Sequence, residues 1–373
     1  NSSFLYIKNK KMKKIYQIGS GMVGSAMAAD LSKDHNVFLA DNDLESLKKI
    51  QSIYSNIQIT KLDVTDRESL SAWIEPADIV LLAVPGFLGF NALKTIIKNG
   101  KDVVDISFSP ENTLELSNYA KEKNVTAVVD AGVAPGIPNY LLGYWDAQLN
   151  IESFEYYVGG LPKNPSPPFN YKAPFSPIDV IEEYTRPARM LIDHQIHIEP
   201  ALSDIEIMNI ENVGKLEAFN TDGLRSLLST MNHIPNLKEK TLRYPGHAEL
   251  MLEYRNKGLF DKNKISETSR KLFKEWELQE NELEFTVLDI LIKGEMKMIS
   301  YHLYDEFDLT SRTSSMARTT GYTATASINL ILEKLWNDYG VFPPEKIGAK
   351  PECTQFILNY LSQRNILIKE KTF

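Results

Sequence analysis

Three glycines, Gly19, Gly21 and Gly24, follow the apolar "KKIY" in the stretch "QIGSGMVGSAMAADL", and Asp41 stands twenty residues after Gly21. This G-x-G-x-x-G spacing brings a backbone turn against a pyrophosphate. Gly19 permits the tight turn, Gly21 admits the phosphates to the backbone, and Gly24 lets the next helix pack on its sheet. Met22 and Val23 belong to the same loop-to-helix contact, where a helix N-terminus offers free N–H groups and partial positive charge. Asp41 closes the strand "NVFLAD", where a carboxylate takes both ribose hydroxyls and repels a 2′-phosphate. The pattern favours NAD; Asn42 and Lys48 leave room for NADP, and FAD or S-adenosylmethionine can use a similar loop.

Further polar residues fall where strands end, the ligand edge of an open parallel sheet. Asp63 and Val64 end "LDV", at the adenine side, unless Asp63 caps the next helix with Thr65. Val84 and Pro85 in "AVPGF" lie toward the nicotinamide half. Asp105 and Asp130 end the fifth and sixth strands.

These residues need a scaffold, and the first third of the chain supplies one. Six strand patterns alternate with helical ones, and "ADIVLLAVP" is apolar throughout, as a strand buried on both faces is. Thr65 with Glu68 three residues later reads as a capping box. The alternation predicts an α/β fold with a doubly wound parallel sheet, the Rossmann arrangement. After Gly132 the texture changes to "AGVAPGIPNYLLGYW" and a proline-rich segment, "KNPSPPFNYKAPFSP". Strands and helices then mix, with "TVLDILIKGE" and "KMISYHLYDEFD" reading as a hairpin, before a long helix from about Ser314.

The length, 373 residues, suits two domains. Net charge is −8 with no long basic run, so no nucleic-acid footprint is visible. No apolar run is long enough to span a bilayer. A single cysteine, Cys353, excludes an internal disulfide and a multi-cysteine metal site, and a cytoplasmic setting is the simplest expectation. Asn1 to about Met12 reads as a polar tail.

Seven blocks in order, "VVDAGVAPGIPN", "YVGGLP", "EYTRPAR", "LEAFNTDGLRSL", "LRYPGHAE", "MARTTGYTA" and "GVFPPE", resemble the saccharopine dehydrogenase-like family, with lysine 6-dehydrogenase and saccharopine reductase-like proteins as the nearest groups. The resemblance implies an NAD(P)-dependent enzyme acting on C–N bonds of lysine-related amino acids, usually a homodimer. It also implies a layout: a dinucleotide-binding domain of residues 13–131 and 316–373, and an α/β substrate and dimerisation domain with a mixed sheet at 132–315. The sequence departs from lysine 6-dehydrogenase after "EAF", where that group is glycine-rich and uncharged. Here "NTDGLRSL" carries Asp222 and Arg225, which favours a substrate with an extra carboxylate, such as saccharopine; alternatively, Asp222 caps a helix starting at Gly223 and Arg225 faces solvent or the dimer partner.

Oxidising such an amine requires a neutral nitrogen, a positioned carbon and bound carboxylates. In the "RYPGH" block Arg243 suits carboxylate binding and His247 proton handling or substrate positioning; a backbone-satisfied histidine at a helix start is the plainer alternative. Lys172 is a candidate base if burial lowers its pKa, and Tyr171 could orient the amine. Arg186 and Arg189 are placed in the pocket or in salt bridges within it. His194 and His197 lack a third ligand, so no metal site is expected. A reductase condensing an amine with a semialdehyde, as in carboxynorspermidine synthesis, and a non-catalytic nucleotide sensor are the competing readings.

Overall fold

The computed structural model describes residues 12–279 and 281–373; the expected tail, but for Met12, lies outside them. Six strand–helix pairs come first: β1 (Lys14–Ile18) and α1 (Met22–Leu31), β2 (Asn36–Asp41) and α2 (Leu44–Ile53), β3 (Gln58–Lys61) and α3 (Arg67–Ile74), β4 (Ile79–Leu82) and α4 (Gly86–Lys98), β5 (Val103–Asp105) and α5 (Ser117–Glu122), β6 (Thr126–Val128) and α6 (Ile137–Asp146). All four residues of β4 are buried, as its apolar run requires. Carboxylates cap two of the helices: Asp43 accepts from the Glu45 and Ser46 amides at α2, and Asp66 from those of Glu68 and Ser69 at α3. The expected Thr65–Glu68 box is not formed, because Thr65 instead donates its N–H and hydroxyl to Asp63, at 2.9 and 2.7 Å.

The middle of the chain forms β7 (Ile151–Pro162), α7 (Pro177–Thr185), β8 (Ala188–Ile192), β9 (Gln195–Glu199), β10 (Glu206–Ile210), β11 (Gly214–Asn220), α8 (Leu227–Thr230), β12 (Asn236–Arg243), α9 (His247–Asn256) and α10 (Ile265–Glu275). The hairpin of β13 (Glu284–Gly294) and β14 (Met298–Glu306) follows. The chain ends with α11 (Ser315–Leu332), β15 (Gly340–Phe342), α12 (Pro344–Gly348), α13 (Pro351–Ser362) and β16 (Ile368–Thr372).

Among the described residues, the first sheet has the order β15-β6-β5-β4-β1-β2-β3, and every pairing is parallel. The order reverses beside β1, so a crevice opens at the carboxyl ends of β1 and β4. The second sheet is mixed: β10-β11-β12-β7-β13-β14-β16, with β8 beside β12 and β9 beside β8. Only β12 and β7 run parallel within that path. The last strand, grouped with the first domain on sequence, pairs with β14 in the second sheet, Ile299 opposite Thr372.

Helix α11 joins the two halves and is buried over nearly its whole length. It lies on α1, where Gly321 leaves room for Met27. Asp30, buried in α1, accepts from Thr325 of α11 and Tyr360 of α13, both at 2.8 Å, and from Arg364 at 2.9 Å. Arg318 of α11 makes a two-pronged pair with Asp305 of β14, at 3.0 and 3.1 Å. The buried Asp30 carboxylate, holding partners on α11, on α13 and just beyond it, fixes the helix on α1 beside the first sheet, and the Arg318 fork fixes it against the second.

Candidate functional site

A cleft of about 600 Å³ runs between the sheets, from the glycine loop to the ends of β7 and β12. The glycine loop forms one end. Gly19 has φ +105°, and a Cβ there would lie 2.1 Å from the Ala83 carbonyl oxygen; one on Gly24 would lie 2.3 Å from that of Gly19. These two glycines are demanded by the protein's own packing. A Cβ on Gly21 would meet no protein atom within 4 Å, so the space above it is open cleft. Gly21 begins α1 without a side-chain cap, leaving the first N–H groups free for an anion. The loop and helix thus fit a dinucleotide pyrophosphate.

Gln17, given no role in the sequence reading, braces the loop. Its buried amide donates to the carbonyls of Gly19 at 3.0 Å and Gly24 at 2.6 Å. Asp41 does double work: Oδ2 accepts from the Ser20 N–H and hydroxyl at 2.6 and 2.8 Å, and Oδ1 from the Asp43 amide at 2.9 Å. It still lines the cleft, as do Met22, Val23, Asn42, Asp63, Val64, Val84, Pro85 and Asp130. Asp105 does not. It is buried behind the wall and accepts from the Ser107 amide and hydroxyl at 2.7 and 2.5 Å, and burial pushes its pKa up to about 7.

The other end of the cleft is lined by ionisable side chains from four segments: Asp130 after β6, Asp179, Glu182, Glu183 and Arg186 on or beside α7, Asp222 after β11, and Glu239 and Arg243 on β12. Arg243 pairs with Glu183 at 2.7 Å and lies over the Tyr171 ring at 4.4 Å. Its Nε donates to the Tyr184 hydroxyl at 3.1 Å. His247 stands behind Tyr184 and does not line the cleft. Its Nδ1 lies 2.8 Å from the Phe169 carbonyl, which can only accept, so Nδ1 carries the hydrogen. Nε2 therefore accepts from the Tyr184 hydroxyl at 2.9 Å. Burial, then the nearby Arg243 charge, lowers the His247 pKa to about 3, so it stays neutral in this chain of bonds. His247 and Tyr171 hold Arg243 in place, and neither reaches the cleft.

Other sequence candidates are also placed differently. Lys172 points away, donating to the Glu275 carbonyl at the end of α10 at 3.1 Å, so a base role has no geometric support. Asp222 and Arg225 do not pair with each other. Asp222 receives the Arg189 fork at 2.8 and 2.9 Å, while Arg225 donates to both oxygens of Asp130 at 3.0 Å and lies over Phe108 at 4.3 Å, behind the cleft wall. Arg186 does line the cleft, paired with Glu182 and 5.3 Å over Phe108. His197 sits on an exposed strand, and no group of three or more potential metal ligands occurs among the described residues.

Sequence reasoning passed over Glu183 and Glu239. Glu239 accepts from the Thr221 hydroxyl at 2.8 Å and the Gly223 amide at 2.9 Å. Its signal was a charged residue inside a strand pattern, "NLKEKTLR", which is easily read as a solvent face. Asp179 escaped for the opposite reason: an acid in the first turn of a helix usually means capping.

Residues 15–128 match the family model described as the saccharopine dehydrogenase NADP binding domain, and 132–367 that of the saccharopine dehydrogenase C-terminal domain. Alpha-aminoadipic semialdehyde synthase of Arabidopsis thaliana is 26% identical over 257 residues, 64% of this chain and 24% of that protein. Saccharopine dehydrogenase (NADP(+), L-glutamate-forming) of Saccharomyces cerevisiae is 26% identical over 277 residues, 70% of this chain and 60% of that protein. The chain thus matches about a quarter of the length of the first of these relatives. The apo histidine-tagged saccharopine dehydrogenase (L-Glu forming) from S. cerevisiae superimposes with a TM-score of 0.77 at 21% identity, covering 97% of this chain and 100% of that one, which is a likeness of fold. No helix among the described residues is long and apolar enough to cross a membrane.

Proposed function

Because this chain belongs to the saccharopine dehydrogenase family, we propose that it is an NAD(P)-dependent oxidoreductase acting on a C–N bond of a lysine-related amino acid. The observation that carries this reading is the continuity of one cleft from the uncapped N-terminus of α1 to Arg186, Arg243 and the carboxyl groups around them. Gly21 and the first amides of α1 hold the pyrophosphate, and Asp41 holds the adenosine ribose. The bound nicotinamide supplies hydride transfer. Arg186 and Arg243 bind substrate carboxylate, Arg243 being kept in register by Tyr184, His247 and Tyr171. Asp41 disfavours a 2′-phosphate, so NAD is preferred to NADP. In this proposal the first sheet carries the cofactor and the second the substrate.

The second sheet also carries the dimer contact. Ile196, Ile198 and Ile207, each more than half exposed, lie on β9 and β10 at the open side of the sheet, where a second copy would cover them. The setting is cytoplasmic, in keeping with one buried, unpaired cysteine.

The test is a substrate screen with both cofactors, following nicotinamide oxidation state with saccharopine, with lysine, and with amine–semialdehyde pairs. Turnover of saccharopine or lysine is expected, with the higher kcat/KM for NAD. Turnover of only the amine–semialdehyde pairs would replace this reading with a polyamine-type reductase. Cofactor binding without transfer to any of these compounds would leave a nucleotide-binding protein that does no chemistry on them.

A further inference from the structure

The substrate end of the cleft holds six carboxyl groups, and four have an arginine partner: Asp130 with Arg225, Asp222 with Arg189, Glu182 with Arg186, and Glu183 with Arg243. Asp179 and Glu239 form no ion pair among the described residues, and of the two only Asp179 feels a nearby arginine, Arg186. Asp179 lies on the first turn of α7, close to Gly86. Glu239 lies deeper, on β12, 5% exposed and yet part of the cleft wall. A buried carboxyl group outside any ion pair has an unmet need for a cation, and a lysine-type substrate carries one at its nitrogen.

We propose that Glu239 is the group that takes the proton from the substrate's ammonium nitrogen. This rests on the dehydrogenase reading above and adds the identity of its base. In the step, an N–H bond of the ammonium breaks, its electron pair stays on nitrogen, and the proton forms an O–H bond with a Glu239 carboxylate oxygen. The nitrogen is then neutral, as loss of hydride from its carbon requires.

The surroundings suit the task. Thr221 and the Gly223 amide orient the carboxyl group, and Thr221 is itself tied to Thr241 at 2.8 Å. Tyr156 of β7 closes the neighbouring space, its hydroxyl donating to the Gly223 carbonyl at 2.8 Å. The charged groups facing Glu239 are Glu183 from α7 and Asp222 from the turn after β11, each paired with its arginine. Burial, reinforced by Glu183 and Asp222, raises the Glu239 pKa to about 8, close to the operating range of a base at neutral pH. An arriving ammonium favours the carboxylate form and displaces the resting proton.

Two measurements test this on the full chain. Saccharopine binding is followed by calorimetry at pH 7 in buffers of different ionisation enthalpy. Wild-type protein is expected to release close to one proton per site, and Glu239→Gln, which keeps the Thr221 and Gly223 contacts, to release none. Absence of release from wild-type protein, or release unchanged in the variant, overturns the assignment whether or not turnover occurs. In the oxidative direction Glu239→Gln should lower kcat by about 10²–10⁴-fold. It should also remove the limb of the kcat/KM profile that rises through pH 8, with NAD affinity unchanged and the melting temperature at neutral pH not lowered. A variant that keeps kcat within a few-fold and retains that limb sinks the proposal. If wild-type protein turns over no amine yet releases the proton, the dehydrogenase reading fails and the ammonium site stands.

Discussion

The two ends of the cleft are built on different principles. The glycine-loop end is backbone: three glycines, an uncapped helix and one aspartate, all within residues 19–41. The opposite end is side chains, four ion pairs and two carboxyl groups outside any pair, contributed by segments from Asp130 to Arg243. A backbone site tolerates little change in shape but leaves charge to the ligand. A side-chain site can be retuned one residue at a time, and each buried charge in it must be matched.

The sharpest break in this comparison comes from Arg243→Met, which leaves the half-buried Glu183 without its partner and removes a buried arginine from its ring and hydroxyl contacts. Loss of about 3–5 kcal/mol in unfolding free energy is expected. Chemical denaturation checks it, and the Arg243→Met/Glu183→Leu pair should recover part of the stability and none of the turnover. Gly19→Ala forces a Cβ against the Ala83 carbonyl at a positive φ and should destabilise the fold by about 2–4 kcal/mol. Gly21→Ala should leave stability within about 1 kcal/mol, since the added Cβ meets no protein atom and only the N-cap preference changes, while weakening NAD binding at least tenfold by fluorescence titration. If Gly21→Ala destabilised the fold as Gly19→Ala does, the separation of packing glycine from ligand glycine would fail.

The pH dependence of stability sharpens the contrast, because its largest contributors lie around the substrate end. His247 has a folded pKa of about 3 against 6.5 when free, so the unfolded chain binds the proton first and stability falls as pH drops below 6.5. Glu239 has a folded pKa of about 8 against 4.5, so the unfolded chain loses the proton first and stability falls as pH rises from 4.5 to 8. Melting curves should show both limbs. Glu239→Gln should flatten the alkaline limb in part, leaving the contributions of Asp105 and Glu284, whose burial pushes each up to about 7. The smallest effect belongs to Lys172→Ala: kcat within twofold and stability within about 0.5 kcal/mol, because its amine reaches only the end of α10. A large loss of turnover there would restore Lys172 as the base.

What the sequence by itself determined is what depends on near neighbours in the chain. The parallel first sheet, the tight turn at Gly19 and close packing at Gly24, the strand-end placement of Asp41, Val84 and Asp130, and the β13–β14 hairpin all follow from periodicities and spacings of a few residues. Even here a competition between adjacent groups escaped: Asp66, rather than Thr65, caps α3. Tertiary structure alone decided who faces whom. Arg243, His247, Tyr171 and Lys172 looked equivalent as reactive side chains, but only Arg243 reaches the cleft; Tyr184 and Phe169 hold His247 behind it. Asp222 and Arg225, three residues apart, looked like a pair and instead answer Arg189 and Asp130, 33 and 95 residues away. The physical reason is that a buried charge is settled by whatever opposite charge the fold brings within about 3 Å, and sequence distance carries no information about that contact.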